Sequence, residues 1–340
     1  MTSSTVDQSG GAPIAALHPE VLRTHVLTRL DGPTLASTAC ASSLFRALSA
    51  DDELWRHICR ATWPSVDSPR LRRLISSFPS GHRSFFYDSF PLLHHHNLDG
   101  APPTDPRHSS SHPSQLISAV DIHYQDKLVL SRVVETDTGT GWFRCLPFRI
   151  DLLKQEERVP IPVKFGTGGD TCRSQLEENL IVSWIVVDPT RNRAANLSSR
   201  RPVSVQRLLW SGEVEVRYAT AVGGGRKGSP AEWVELGVVV TCGGKEGGGA
   251  HMREVRVQVE DMEGRVLKGK DSMVILREAM EMGKRKLRGE IRERYEEFVE
   301  KRRERREGGE RIERMWDMAC MGFGFFFFVV LWWFVVFSFG

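Results

Sequence analysis

Four features of this 340-residue chain carry side chains capable of chemistry, and none stands in the setting its chemistry requires. His94-His95-His96 offers imidazoles to a metal ion, yet no carboxylate or cysteine stands at a supporting spacing. Gly166-Thr167-Gly168-Gly169-Asp170 has the glycine density of a phosphate-cradling loop without its Gly-Lys-Ser/Thr ending or a following helix signal, so it reads as a turn. Asn196-Leu197-Ser198 is a glycosylation sequon, and the topology argued below keeps it in the cytosol, unmodified. The six cysteines, Cys40, Cys59, Cys145, Cys172, Cys242 and Cys320, lie far apart with no C-x-x-C pair or Cys/His zinc spacing, which fits a reducing compartment. No Ser/His/Asp or Cys/His grouping has a recognisable nucleophile setting. The chain is therefore read as having no catalytic residue, no cofactor and no metal, and the chemistry left to it is binding.

The elements that would carry binding surfaces separate by composition. Residues 1–13 are polar and small, lacking the basic start and apolar core of a secretory signal. A helical pattern follows to about residue 90, then a Pro-, Ser-, Asp- and Gly-rich linker at 91–113 that cannot bury enough apolar surface to order itself. From 114 to about 276 the period becomes two, in runs such as 128–134, 180–187, 212–218, 233–241 and 253–259. Several strands without long helices between them predict an antiparallel sandwich or barrel, with Gly223 to Gly225 and Gly243 to Gly249 in loops.

Residues 277–316 read as a charged amphipathic helix. Leu287, Ile291, Tyr295 and Phe298 make a narrow apolar stripe, Glu290/Arg294 and Glu297/Lys301 are i, i+4 pairs worth about 0.3 kcal/mol each, and fraying is expected at Gly308-Gly309. Lys284 to Arg314 holds thirteen Lys/Arg against nine Asp/Glu, while the whole chain is only +3, so the body offers no broad phosphate-binding face. No nucleic-acid partner is expected, and the basic run reads as a solvated stalk because Glu alternates with Arg. Met318 to Gly340 has no charged side chain and is long enough to cross a hydrocarbon core. On an insertion scale its Phe, Val and Leu residues contribute about −4 to −8 kcal/mol. It is read as a transmembrane anchor, the alternatives being a variant tail or a packed core segment. The basic flank should stay cytosolic, leaving the bulk of the chain facing the cytosol, with the endoplasmic reticulum as the candidate membrane; without insertion the location would be cytoplasm or nucleus.

The N-terminal helices carry the sharpest signal. Leu17 to Leu30 reads as one helix with Pro19 in its first turn and Val21, Leu22, Val26 and Leu30 on one apolar face. Asp31-Gly32-Pro33 stops it. A second helix, Thr34 to Leu48, presents Leu35, Cys40, Leu44, Phe45 and Leu48. A third begins near Asp51, with Asp51, Asp52 and Glu53 complementing its N-terminal end and Leu54, Trp55 and Ile58 supplying bulk. So many large apolar residues in so few positions form either a private three-helix core or a surface that seeks a partner.

The string Leu17-x-Pro19-Glu20-Val21-Leu22, Val26 to Leu30, Leu35-Ala36, Cys40-x-Ser42-x-x-Phe45-Arg46-x-Leu48 and Asp52-x-Leu54-Trp55 is similar to the F-box along its whole length. Pro19 stands one place later than in the commonest pattern, Phe45 holds a position often given to Trp, and Ser43-Leu44 replace basic residues. The continuation through Trp63-Pro64, Phe78 to Phe86 and Pro91-Leu92-Leu93 also resembles plant F-box proteins. The resemblance implies a three-helix F-box at 14–60 with a helical extension at 61–90, and with the patterns above the whole reads as an α+β chain: these helices, a β-rich domain at 114–276 that would select the substrate, the charged helix, and a transmembrane helix at 318–340. The resemblance further implies a non-enzymatic substrate receptor of an SCF-type ubiquitin ligase, bound to a Skp-type adaptor and through it to cullin and RING subunits, with an unknown protein as substrate. Leu17, Pro19, Val21, Leu22, Val26, Leu30, Leu35, Cys40, Phe45, Leu48, Leu54 and Trp55 are then the expected adaptor-binding residues. Rival readings are an F-box membrane scaffold outside ubiquitination, and a lectin-like module in which Trp142, Trp184, Trp210 and Trp233 line a ligand site.

Overall fold

The computed structural model describes residues 18–90, 92–94, 113–166, 170–224, 229–282, 284–286 and 289–338. The first helix, α1 (Pro19–Val21), continues into a π-helical turn, Leu22–Val26, and a 3-10 turn, Leu27–Arg29. This corrects the expected face of Val21, Leu22, Val26 and Leu30. In the wide turn the Leu27 N–H bonds the Leu22 carbonyl five residues back, so Leu22 and Leu27 are buried while Val21 and Val26 both point out.

The expected second helix is two, α2 (Gly32–Ala41) and α3 (Ser43–Leu48). Ser42 is extended between them, and its hydroxyl accepts from the Phe45 N–H at 3.2 Å, so this serine caps a new helix and breaks the old one. Asp31 caps α2 by accepting from the Thr34 N–H at 2.9 Å, and hydrogen bonding from the Thr34 side chain together with this N–H holds its carboxyl below the usual range. Gly32 lies against the Phe86 ring with no room for a Cβ. Helix α4 (Asp52–Thr62) leads through a 3-10 turn, Pro64–Asp67, to α5 (Pro69–Ile75) and α6 (Gly81–Ser89). Asp52 receives the His82 N–H at 2.7 Å and faces its Nδ1 at 2.9 Å, locking α4 to the start of α6. Between these helices lies an aromatic cluster: Trp55, Trp63, Phe78, Phe85, Phe86 and Phe90, with Trp63 edge-on to Phe85 and Phe86 stacked on Phe90.

Part of the expected linker is a strand. β1 (Leu92–His94) pairs with a late strand, Lys284–Lys286, while residues 95–112 lie outside the described residues. The middle of the chain is the predicted pair of antiparallel sheets. One contains β2 (Gln115–Tyr124), β3 (Lys127–Asp137), β6 (Leu180–Asp188) and β7 (Arg193–Asn196), ordered β3-β2-β6-β7. The other is built on β8 (Ser204–Arg207), β9 (Val214–Gly223), β10 (Trp233–Gly244) and β11 (Gly249–Asp261). Short strands β4 (Arg149–Asp151) and β5 (Val159–Lys164) pair along β11. The helices α7 (Gly141–Cys145) and α8 (Asp170–Asn179) lie in the connections.

Alternate residues of β2 and β6 face the second sheet, where Val120, Ile122, Val182 and Trp184 meet Tyr218, Leu236, Val238 and Val257. The other faces of the same two strands are also buried. Ile117, Ala119, Ile185 and Val187 pack under the N-terminal helices. The helices are thus a third layer on the sandwich, and polar contacts fix them there. Buried Asp121 on β2 accepts from the Ser65 N–H at 2.9 Å and the Ser65 hydroxyl at 2.5 Å, and from the Ser131 hydroxyl at 2.6 Å. Asp88 on α6 pairs with Arg193 at 3.0 Å.

The expected charged helix at 277–316 divides. Its beginning belongs to α9 (Gly269–Met282), which buries Met273, Ile275, Leu276, Ala279 and Met280 in the sandwich core. The chain then passes through β12 (Lys284–Lys286) into α10 (Gly289–Ser338). α10 does not fray at Gly308-Gly309: the pairs Arg306/Glu310 at 3.3 Å and Arg311/Glu307 at 3.6 Å straddle the glycines. Leu287 lies outside the described residues, as do the side chains of Ile291, Glu290 and Arg294, whereas Lys301 and Glu297 meet at 2.7 Å. Tyr295 and Phe298 pack on Ala221, Trp233 and Met262. Beneath them Arg302 spans buried Glu235 at 3.2 Å and Glu260 at 3.6 Å, both of which also pair with Arg217. Burial raises the Glu235 carboxyl above its usual range against these guanidiniums, and burial likewise raises the Tyr295 phenol. Beyond Arg314 no described side chain of α10 is buried, and its apolar part is long enough to cross a membrane by length and composition.

Candidate functional site

The twelve residues that the sequence assigns to adaptor binding fall into three groups. Leu22, Leu35, Leu54 and Trp55 are buried inside this chain. Trp55 packs on Phe86 with ring centroids 5.3 Å apart and donates its indole N–H to the Ser49 carbonyl at 2.7 Å. Leu30, Phe45 and Leu48 are half-buried against the same core. Pro19, Val21, Val26 and Cys40 are exposed, and Leu17 lies outside the described residues.

The exposed members are held by structure rather than by chance. The π turn keeps Val21 and Val26, at 42 % and 40 % exposure, pointing away from the buried pair Leu22 and Leu27. Arg23 on this turn reaches Asp51 at 2.6 Å and ties it to the start of α4. Cys40 stands near the end of α2, its thiol donating to the Ala36 carbonyl at 3.6 Å. The result is a small apolar surface over a filled aromatic core. Leu27 was missed by the helical period, because only a five-residue turn brings it under Leu22.

The other candidate chemistry does not assemble. Among the described residues no three His, Cys, Asp or Glu side chains converge to hold a metal, and His95 and His96 lie outside them. A helix does follow the glycine loop, contrary to expectation, but α8 turns Cys172 and Leu176 into the core and places acidic Asp170 at its start. Residues 167–169 lie outside the described residues. Asn196 is buried, its carboxamide oxygen accepting the Trp184 and Ser198 N–H groups at 3.2 and 3.1 Å, so in the folded chain it is a structural residue of the sheet edge. Trp184 and Trp233 are buried while Trp142 and Trp210 are exposed, so the four tryptophans do not line one ligand site. A cleft of about 710 Å³ beside β3 is lined by Arg132 and Glu157 among others, and these two already pair with each other, lowering the Glu157 carboxyl to about 2.

Comparison with known proteins bears on the family of the chain. The F-box-like family model matches residues 19–61, which contain α1 to α3 and all of α4 but its last residue. F-box protein At2g27310 of Arabidopsis thaliana is 42 % identical over 98 % of this chain and 99 % of its own length. The probable F-box protein At2g36090 of the same plant is 44 % identical over 94 % of this chain and 92 % of its own. F-box protein At3g44326, also of Arabidopsis thaliana, is 44 % identical over 88 % and 85 %. No solved structure matches the chain. A matched N-terminal domain joined to relatives that align along nearly the whole length means that this chain belongs to the F-box proteins of plants.

Proposed function

We propose that the chain is the substrate-recognition subunit of an SCF-type ubiquitin ligase, tethered to a membrane by its C-terminal helix with the rest of the chain in the cytosol. F-box proteins generally act as substrate receptors of such ligases rather than as enzymes. The observation that carries the reading is the exposed pair Val21 and Val26 above a core that is full without them. In this reading they meet a Skp-type adaptor together with Pro19, Cys40 and the outer edges of Leu30, Phe45 and Leu48, while Leu22, Leu35, Leu54 and Trp55 set the shape of that surface from beneath. The sandwich binds the protein target. Ubiquitin transfer then gains only from proximity, because a tethered target presents its lysines at a high effective concentration.

The test is co-purification of the Skp-type adaptor with the full chain and with the Val21→Glu/Val26→Glu variant. Carboxylates in place of two central apolar anchors should weaken binding about 30-fold or more, equivalent to roughly 2 kcal/mol. The melting temperature should hardly move, because both side chains already face water. Wild-type chain that brings down no adaptor rejects the proposal.

A further inference from the structure

Between its last contacts with the sandwich and the start of its apolar segment, α10 carries two adjacent glycines, Gly308 and Gly309, for which the surroundings give no reason. On the body side the helix is fixed. Phe298 is buried against Ala221, Trp233 and Met262, Lys301 stands 5.1 Å over the Trp233 ring, Arg302 spans Glu235 and Glu260, and Arg305 donates to the Ser229 carbonyl at 3.2 Å. From Arg306 onward the described ion pairs run only along the helix itself: Arg306/Glu310, Arg311/Glu307 and Arg314/Glu310. The two glycines sit in this unsupported stretch, about 14 Å before Met318.

Glycine is required where φ is positive or where a Cβ would collide. Neither holds here. Positive φ among the described glycines is confined to Gly81, Gly212, Gly247 and Gly264, and a Cβ on Gly308 or Gly309 meets nothing within 4 Å. Relative to two alanines, the pair lowers the helical state of its turn about 20-fold. The two ion pairs that straddle it, Arg306/Glu310 and Arg311/Glu307, restore about 3-fold, and salt screens that gain. The glycines therefore win. The turn is closed in this structure, yet it is where α10 opens at least cost. Gly322 and Gly324 have the same open space around them, but they stand in the apolar segment, where an opened turn would leave backbone N–H and C=O groups without water.

We propose that Gly308-Gly309 is a hinge at which the sandwich swings over the membrane, so that one anchored receptor presents its adaptor-binding helices at a range of heights and tilts. The helices move with the sandwich, because Ile117, Ala119, Ile185 and Val187 hold them from beneath. The hinge rests on the membrane-anchor reading above. For the test, full-length chain is placed in phosphatidylcholine vesicles as wild type and as the Gly308→Ala/Gly309→Ala variant. Each carries a fluorescent amino acid in place of Trp210, which is fully exposed, and the bilayer carries an acceptor-labelled lipid. Amide exchange at 306–312, corrected for intrinsic rates, should slow about ten-fold or more in the variant. Exchange in the sandwich should not change, and the spread of donor-to-bilayer distances should narrow to about half. Equal exchange in the two proteins overturns the hinge. So does slowed exchange with an unchanged spread of distances, which would mean that one turn frays without moving the body. Failure of the anchor reading is a separate outcome, seen as wild-type chain that does not float with the vesicles.

Discussion

The two ends of this molecule both hold apolar side chains in water, and they do so in opposite ways. At the N-terminal end the exposure is a few residues, Pro19, Val21, Val26 and Cys40, spread among charged neighbours and standing over a packed aromatic cluster. At the C-terminal end α10 is apolar around its whole circumference: Phe325, Phe326, Phe327, Phe328, Trp332 and Trp333 are all exposed. A small apolar surface on a rigid base suits one shaped partner, because affinity comes from a few fitted anchors. A helix that is apolar on every side suits a solvent that is itself apolar, because no single partner could cover it.

That contrast can be broken most severely at the C-terminal end. Ending the chain after Asp317 should move it from the membrane fraction to the soluble fraction almost completely, with an unchanged melting temperature because no described side chain of the removed segment is buried. A lower melting temperature would show that the segment belongs to the core. The next effect in size lies beneath the N-terminal surface. Trp63→Ala, which empties a fully buried site between Phe85 and Phe86, should cost about 3–5 kcal/mol in a denaturant titration. A cost like that of an exposed residue would mean the aromatic cluster is not the foundation it is taken to be here.

The smallest effect is expected where α10 joins the sheet. Arg302→Ala leaves Glu235 and Glu260 with Arg217 as partner and should cost about 1–3 kcal/mol, reduced from the buried-pair value because Arg302 is partly exposed. The loss should grow with pH. The folded Glu235 carboxyl already titrates above its usual value, so its contribution falls as pH rises from the unfolded pKa toward the folded one. Removing a guanidinium raises the folded value further, so melting curves of wild type and variant should diverge from pH 5 to pH 8. Convergence over that range would put the cost down to poorer packing instead of charge.

Legibility in the sequence varied with how closely each segment kept to one regular period. β3, β6, β10 and β11 were visible because their alternation or apolar runs were unbroken. β2 was not, since both of its faces are buried and it carries Ser118, Asp121 and His123, residues that look like loop until Ser65 and Trp184 are seen to meet them. Val21 and Val26 were placed on one apolar face with Leu22 and Leu30, and Leu27 was overlooked, because a helix of 3.6 residues per turn was assumed where the chain makes a wider one. The break at Ser42 carried a visible sign, a serine three residues before Phe45, but the apolar spacing ran across it.

The order and type of side chains by themselves determined the family of the N-terminal helices, the antiparallel character of the middle and the apolar length of the last helix, since each is a local pattern that repeats with the period of its element. Which residues of the N-terminal helices remain available to a partner was decided only by tertiary structure. The packing of α4 to α6 onto the outer faces of β2 and β6 draws Leu27, Leu35, Leu54 and Trp55 into one cluster, while the π-helical turn leaves Val21 and Val26 outside. Burial is a property of what lies opposite a side chain, and here what lies opposite Trp55 is the Phe86 ring, on a helix that begins only at Gly81.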